Sequence, residues 1–328
     1  MKKLLIIGGT VFVGRHITEA ALAAGWEITL FHRGQSGTDL FPGVERILGD
    51  RNTDAAKLEF GQWDACIDVS GYTPTNMRGL LETLRDRVGH YVFISTISVY
   101  RDGPGDALDE DGPVLPDEGL QTEEVTGETY GPLKVRCERM VREAFGERAT
   151  IIRPGLIIGP HDRTDRFSYW PMRFDREAVV LAASPDSIIQ LIDGRDLAQL
   201  ALKSIGHSGT YNATGSGVTW GEIVSVCQAA TDNVSRVVWA DPSWLTGQGV
   251  QEWTDLPLWV ADPSAHRSLS DVPITRAQSI GLTHRSLKES VGDLLAWLRD
   301  GRGDAPLKVG MTTERQQELV KALEETPA

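Results

Sequence analysis

Tyr130 and Lys134 stand four residues apart in the stretch YGPLK. Positions i and i+4 are neighbours on one face of a helix, so a phenol here meets an ammonium. Such a pair can handle a proton for a substrate, or it can be two ordinary residues on a helix surface. Spacing alone allows both. A second group with chemical potential is the glycine cluster of IIGGTVFVG, where Gly8, Gly9 and Gly14 follow an apolar run and open a helical pattern. A helix N-terminus offers free N–H groups and the positive end of the dipole, and glycines let an anionic group approach the backbone closely. Strand, glycine turn and helix in this order are the context of a dinucleotide pyrophosphate site. The end of the next strand bears on which dinucleotide. An acidic residue there would bind a ribose 2′-hydroxyl and repel a 2′-phosphate. This chain has His32 and Arg33 instead, and a guanidinium bonds phosphate in bidentate fashion. NADP is therefore expected in preference to NAD.

The segments around these residues alternate in type. KLLIIGG (3–9), EITLFHRG (27–34), VERILGD (44–50), WDACIDVSG (63–71) and HYVFIST (90–96) read as strands. GRHITEAALAAG (14–25), NMRGLLETLRDRVG (76–89) and the segment carrying Lys134 read as helices, and ATIIRPGLIIG (149–159) returns to a strand. Near-continuous apolar strands separated by helices indicate a parallel sheet covered on both faces. The expected fold is α/β, a doubly wound parallel sheet (Rossmann-like) with a smaller C-terminal substrate-binding subdomain. Residues 1–163 are assigned to the dinucleotide-binding domain with the catalytic residues. Residues 164–328 are mainly the substrate-binding subdomain, with about 187–216 returning to the core sheet. The acidic connection from Asp102 to Glu128 is expected to be a solvated loop, and 312–325 a polar terminal helix.

Bulk properties narrow the class further. A chain of 328 residues is long for one hydrophobic core. Its net charge is −13 with no basic run, which argues against a nucleic-acid partner. Three cysteines lie far apart, suggesting neither a disulfide framework nor a zinc site. The apolar run after Lys2 and Lys3 is too short for a signal peptide, and no apolar stretch reaches the length of a membrane span. A cytoplasmic protein without membrane contact is expected.

At this level the chain resembles the extended (partly atypical) short-chain dehydrogenase/reductase family, the NAD-dependent epimerase/dehydratase-like group. The likeness covers most of the chain. GGTVFVG is similar to the family's glycine loop, with Thr10, Phe12 and Val13 beside Gly8 and Gly14 and with Val11 where a middle glycine often sits. Gly49-Asp50, followed by Arg51, resembles the element that contacts adenine. Val69-Ser70-Gly71 resembles the segment lying along the cofactor, and NMRG (76–79) the family's Asn-x-x-Gly. STISVY (95–100) places a threonine, Thr96, at the strand-end position, and YGPLK matches Tyr-x-x-x-Lys. RPGLIIGP (153–160), with Pro154 and Gly155, DLA (196–198) and YNATG (211–215) follow in the family's order.

The resemblance implies a mechanism. Hydride moves between nicotinamide and a carbon bearing oxygen, Tyr130 acts as general acid/base, and Lys134 favours its phenolate and binds the nicotinamide ribose. Thr96 holds the reacting oxygen. A homodimer through the helices at 76–89 and 130–146 is the family habit. Departures bear on the substrate. Ile97-Ser98 stand where dehydratases of the family have Asp-Glu. Ile189 stands where sugar-nucleotide epimerases have a diphosphate-binding arginine, and Leu156 where they have an asparagine, although Arg163, Arg166 or Arg173 could substitute. His161, Arg166, Tyr169 and Trp170 are candidate contacts to a small-molecule substrate. The leading expectation is an NAD(P)-dependent oxidoreductase. The alternatives are a nucleotide-sugar epimerase with tightly held cofactor, and a non-catalytic cofactor-binding or RNA-associated member.

Overall fold

Apolar runs without polar alternation become a parallel sheet, because strands covered by helices on both faces are apolar on both sides. The computed structural model describes residues 2–301 and 305–325. The chain divides into two units. The first comprises the chain up to Ile157, Gly194–Gly215 and Val272–His284. Its strands are β1 (Lys3–Ile7), β2 (Glu27–His32), β3 (Glu45–Leu48), β4 (Trp63–Asp68), β5 (Val88–Ile94), β6 (Ala149–Pro154) and, late in the chain, β10 (Gly209–Ala213). They stand in the order β10-β6-β5-β4-β1-β2-β3, each neighbouring pair parallel. This is the doubly wound, Rossmann-like α/β fold, in which ligands bind at the carboxyl ends of the strands.

Helix α1 (Phe12–Ala23) and α5 (Gly194–Lys203) pack together, as do α2 (Pro74–Leu84) and α3 (Tyr130–Phe145). In α2, Met77, Leu80, Leu81 and Leu84 recur at helical spacing and are buried, as is Pro74 at its start. They join Leu5, Phe31, Cys66, Tyr91 and Phe93 of the sheet and Cys137, Val141 and Phe145 of α3 in one apolar cluster. A capping box of Thr73 and Asn76, with Pro74 at the first turn, starts α2 where the sequence changes from loop to helix.

The acidic connection is, as expected, a largely exposed loop without helix or strand, but it is pinned at a few points. Asp117 is paired with Arg136 and Arg139 of α3. Glu110 accepts a hydrogen bond from the Asn212 amide at 2.9 Å, and Glu123 accepts one from the Thr75 amide at 3.0 Å. Carboxylates that meet cations and free backbone donors fold down onto them, and the segment leading to Tyr130 is thereby tied to α2, α3 and β10.

The second unit comprises Ile158–Asp193, Ser216–Asp271 and the chain from Arg285 on. Past Gly155 the chain runs through β7 (Leu156–Ile158) into this unit. Strand β8 (Val179–Ala183) pairs in parallel with β12 (Arg236–Ala240), and β9 (Ile188–Asp193) pairs antiparallel with β11 (Gly217–Thr219). Residues 187–193 therefore do not return to the main sheet; of the returning segment only β10 joins it. A buried strand pattern says that a strand forms, not which sheet takes it. Helices α4 (Tyr169–Arg176), α6 (Trp220–Ala229), α7 (Pro242–Gly247), α9 (Leu287–Gly301) and α10 (Thr313–Glu325) complete this unit, while α8 (Thr275–Ser279) belongs to the first and packs on β10.

Candidate active site

The glycine loop has the backbone that its composition demands. Gly8 and Gly9 take φ of 108° and 92°, a region open to glycine and strained for other residues. A Cβ on Gly14 would lie 2.7 Å from the Gly9 nitrogen, so the first turn of α1 packs directly against the loop. The Thr18 hydroxyl reaches the Gly9 and Gly14 carbonyls, 2.9 Å each, and braces both. Among the described residues no side chain caps the start of α1, and its first turn carries no acidic residue. Uncapped N–H groups, a positive dipole end and a cradle that any Cβ would fill fit a pyrophosphate. Thr10 is buried at this loop, and Phe12 and Val13 are half-buried beside it.

At the end of β2, Arg33 is exposed. His32 accepts the Gly34 amide through Nδ1 at 3.0 Å. Burial, with Arg46 nearby, lowers the pKa of His32, so near neutral pH the ring is uncharged. Asp50 receives the Asn52 amide at 2.9 Å.

At the carboxyl end of β5 the proton-handling candidates come together. Lys134, 3% exposed, gives its ammonium to the carbonyls of Gly71 (2.7 Å) and Ile94 (2.8 Å). Its nitrogen lies 4.1 Å from the centre of the Phe93 ring and 5.6 Å from that of Tyr72. Burial pulls its pKa down to about 8, against the opposing pull of Cys137, Asp68 and Glu138. Tyr130 opens α3, and its ring centre is 6.4 Å from that of Tyr72. Thr96 begins the turn after β5. Its hydroxyl accepts the Ser98 amide and donates to the Ser98 hydroxyl, both at 3.1 Å. A Cβ at Gly131 would collide with the Ser98 carbonyl, so this glycine lets the Thr96 turn lie against the first turn of α3.

Below this group is a buried ionic network centred on Asp68, at the end of β4 and 0% exposed. It accepts Arg51 in bidentate fashion (2.9 and 2.8 Å), the Tyr91 hydroxyl (2.8 Å) and the Ser70 amide (3.0 Å). Burial alone would raise its pKa, and Arg51 beside it holds the carboxyl below the usual range. Arg51, expected at the cofactor, spends its hydrogen bonds within the chain. Its remaining donors go to Ser70 Oγ, the Asn76 carbonyl and Met77 Sδ, so all five N–H groups are committed. Arg51 is the clamp that ties the end of β4 to the 70–77 segment. Val69 and Ser70 are half-buried in that segment, and Gly71 is buried with no room for a side chain, since its Cβ would sit 2.8 Å from Phe93. Pro154 ends β6, and Gly155 follows with its amide on the Ala213 carbonyl at 3.0 Å.

Four candidate substrate contacts lie in the second unit. Tyr169 and Trp170 are 0% and 1% exposed. Trp170 donates to the Pro257 carbonyl at 2.9 Å and packs on Trp220 with ring centres 4.8 Å apart. A residue lining an open pocket keeps accessible surface, and these two have none; they are core. The terminal nitrogens of Arg173 bond Glu177, Thr313 and the Met311 carbonyl, while its buried Nε makes no hydrogen bond among the described residues. His161 packs edge-on against Trp297 at 5.2 Å, and half-buried Arg166 bonds Thr164 at 3.2 Å. Ile189 is buried in β9.

Asp68, Tyr91 and Tyr72 were not singled out in the sequence. An acid inside a buried apolar strand was the available signal for Asp68, since such a carboxylate demands a partner.

A parallel doubly wound sheet with an uncapped glycine-loop helix and a buried lysine beside a tyrosine defines a dinucleotide-binding α/β protein. Residues 4–214 match the NAD dependent epimerase/dehydratase family, and the chain belongs to that family. The chain is 25% identical over 252 residues to the chloroplast stem-loop binding protein of 41 kDa b of Arabidopsis thaliana, covering 70% of this chain and 63% of that one. It thus spans under two thirds of that relative's length. Among solved structures it is similar to WbmH of Bordetella bronchiseptica in complex with NAD+ (TM-score 0.65, 17% identity, 92% of this chain and 99% of that one). It is also similar to the UDP-glucose 4-epimerase of Thermotoga maritima with UDP-glucose (TM-score 0.67, 15% identity, 91% and 99%). These likenesses establish the fold. Among the described residues no helix is long and apolar enough to cross a membrane.

Proposed function

We propose that this chain is an NAD(P)-dependent oxidoreductase that moves hydride at a carbonyl or alcohol carbon of a small metabolite, with NADP favoured over NAD. The observation that carries the reading is the enclosed Lys134 ammonium, held on two backbone carbonyls at the end of β5 and one helical turn from Tyr130. The bound dinucleotide supplies the hydride donor or acceptor. The chain's own residues do the rest. Tyr130 gives or takes the proton of the reacting oxygen, and the desolvated charge of Lys134 favours its phenolate. Thr96 turns its hydroxyl from Ser98 to the same oxygen and holds it. Arg33, exposed at the end of β2, holds the 2′-phosphate.

The test is deuterium transfer from 4-deuterated NADPH and NADH into a panel of aldehydes and ketones, read by mass spectrometry. The parent protein labels a product and Tyr130→Phe does not, while NADPH affinity, read by nicotinamide fluorescence, is unchanged. Transfer by the Phe variant, or none by the parent, defeats the assignment.

A second reading, a nucleotide-sugar epimerase, draws support from family membership and from neighbours named as UDP-glucose 4-epimerases. It predicts cofactor that survives purification and interconverts a sugar without net redox turnover. The RNA-associated reading draws on the stem-loop binding relative. A net charge of −13 opposes it, and it requires salt-dependent binding to stem-loop RNA.

A further inference from the structure

We propose that Tyr72 is a positioning residue for the Tyr130–Lys134 pair, its ring standing between the Lys134 ammonium and water and abutting Tyr130. The inference rests on the reading of that pair as the proton-handling site. Two aromatic rings flank the Lys134 nitrogen, Phe93 at 4.1 Å and Tyr72 at 5.6 Å. Phe93 is 0% exposed and Tyr72 is 45% exposed. Of the two rings, Tyr72 is therefore the one that can bring the lysine into contact with solvent by leaving.

The backbone that carries the ring is anchored on both sides of Tyr72. The residue before it, Gly71, gives its carbonyl to Lys134 at 2.7 Å. The Tyr72 amide donates to Asn76 Oδ1 at 3.2 Å. Arg51, locked on Asp68, holds the Ser70 hydroxyl (3.0 Å) and the Asn76 carbonyl (2.9 Å), one before and one after Tyr72. These bonds hold the backbone on both sides of Tyr72, and the ring itself meets Lys134 and Tyr130.

The chemistry follows from desolvation. A ring over an ammonium excludes water and offers only its quadrupole in return, so the charged form is held less firmly than in water. Asp68 on β4, Arg51 after β3, and Cys137 and Glu138 on α3 also act on the Lys134 charge, and Tyr130 stands one helical turn away on α3. None of them is on Tyr72, so the shift caused by removing the ring reports the ring itself, its exclusion of water less the attraction of its quadrupole.

The experiment is NMR titration of protein labelled with 13Cε-lysine, the Lys134 resonance being assigned by its absence in Lys134→Met. In the parent Lys134 titrates near the value of about 8 that burial gives it. In Tyr72→Ala the midpoint rises by about one pH unit or more toward the ordinary lysine value. Tyr72→Phe, which keeps the ring, stays within about 0.3 unit of the parent and separates shielding from any effect of the hydroxyl. Coincident titrations of Tyr72→Ala and parent overturn the proposal, and so does an equal shift in both variants. The measurement needs neither substrate nor turnover. A failed deuterium transfer therefore leaves this result intact, and an unshifted lysine leaves the assignment of Tyr130 intact.

Discussion

Replacing Asp68 by Asn removes one charge from a carboxylate that is fully buried and accepts four hydrogen bonds, two of them from Arg51. The Arg51 side chain is only 11% exposed, so water cannot take over its charge. The new amide NH₂ would also face guanidinium donors. Breaking a buried ion pair from one side costs about 3–5 kcal/mol, because the surviving charge is left without compensation. That is a rise of about two to four orders of magnitude in the unfolding constant. The figure cannot be raised by summing the four bonds one by one, since they share one acceptor group and do not add. Urea unfolding followed by circular dichroism reads the change as a lower midpoint. The exposed pair Lys3–Glu27, at 54% and 49%, lies in the same unit and serves as control. Glu27→Gln should move the midpoint little, because exposed pairs are screened and loosely ordered. The double variant Arg51→Met with Asp68→Leu should recover part of the loss, since it leaves no orphaned charge. A loss below about 1 kcal/mol in Asp68→Asn, within the range of surface pairs, would refute the reasoning.

Arg33→Ala should weaken NADPH binding at least about tenfold while leaving NADH nearly unchanged, a contrast that fluorescence titration reads. Equal losses would mean that Arg33 does not read the 2′-phosphate. His90 is buried, its Nε2 2.7 Å from the Thr150 hydroxyl, and burial with His207 and Arg148 nearby lowers its pKa. The unfolded histidine titrates near 6.5 and takes up its proton first as pH falls. His90 therefore contributes stability that is present above about pH 6.5 and is lost below it. Urea midpoints measured from pH 7 to pH 5 should fall more steeply for the parent than for His90→Gln; parallel curves would exclude this residue.

Much of the site was legible because its residues are dictated by backbone geometry. Gly8 and Gly9 occupy left-handed conformations, and Gly14 touches the loop, so their identities follow from position alone. Tyr130 and Lys134 are joined by one helical turn, a relation that four residues of sequence contain. What was not legible lies between distant segments. Arg51 and Asp68 are 17 residues apart and meet only because the strands β3 and β4 end on the same edge of the sheet. Each was visible alone, one as a cofactor candidate and the other as an acid in an apolar run. The burial of Tyr169 and Trp170 was not legible for a related reason, since an aromatic cluster has the same composition whether it walls a pocket or fills a core.

The Arg51–Asp68 clamp links the two kinds of information. The 70–77 segment carries no strand or helix of its own before Pro74, yet it supplies the Gly71 carbonyl that holds Lys134 and the ring that meets Tyr130. Left to itself, such a segment would pay conformational entropy of about 1–2 kcal/mol per residue to stay ordered. One guanidinium bonded to Ser70, Asn76 and Asp68 offsets that cost from below, using a charge that burial makes effective only when fully paired. The acid/base pair is local in the sequence, but the rigidity that makes it usable comes from an ion pair between the ends of β3 and β4, which β1 and β2 separate in the sheet. Loss of Asp68 should therefore reach Lys134 as well as the fold. In any Asp68 variant that still folds, the 13Cε signal of Lys134 should broaden or shift, because its Gly71 acceptor is no longer held. An unchanged signal would uncouple the clamp from the site.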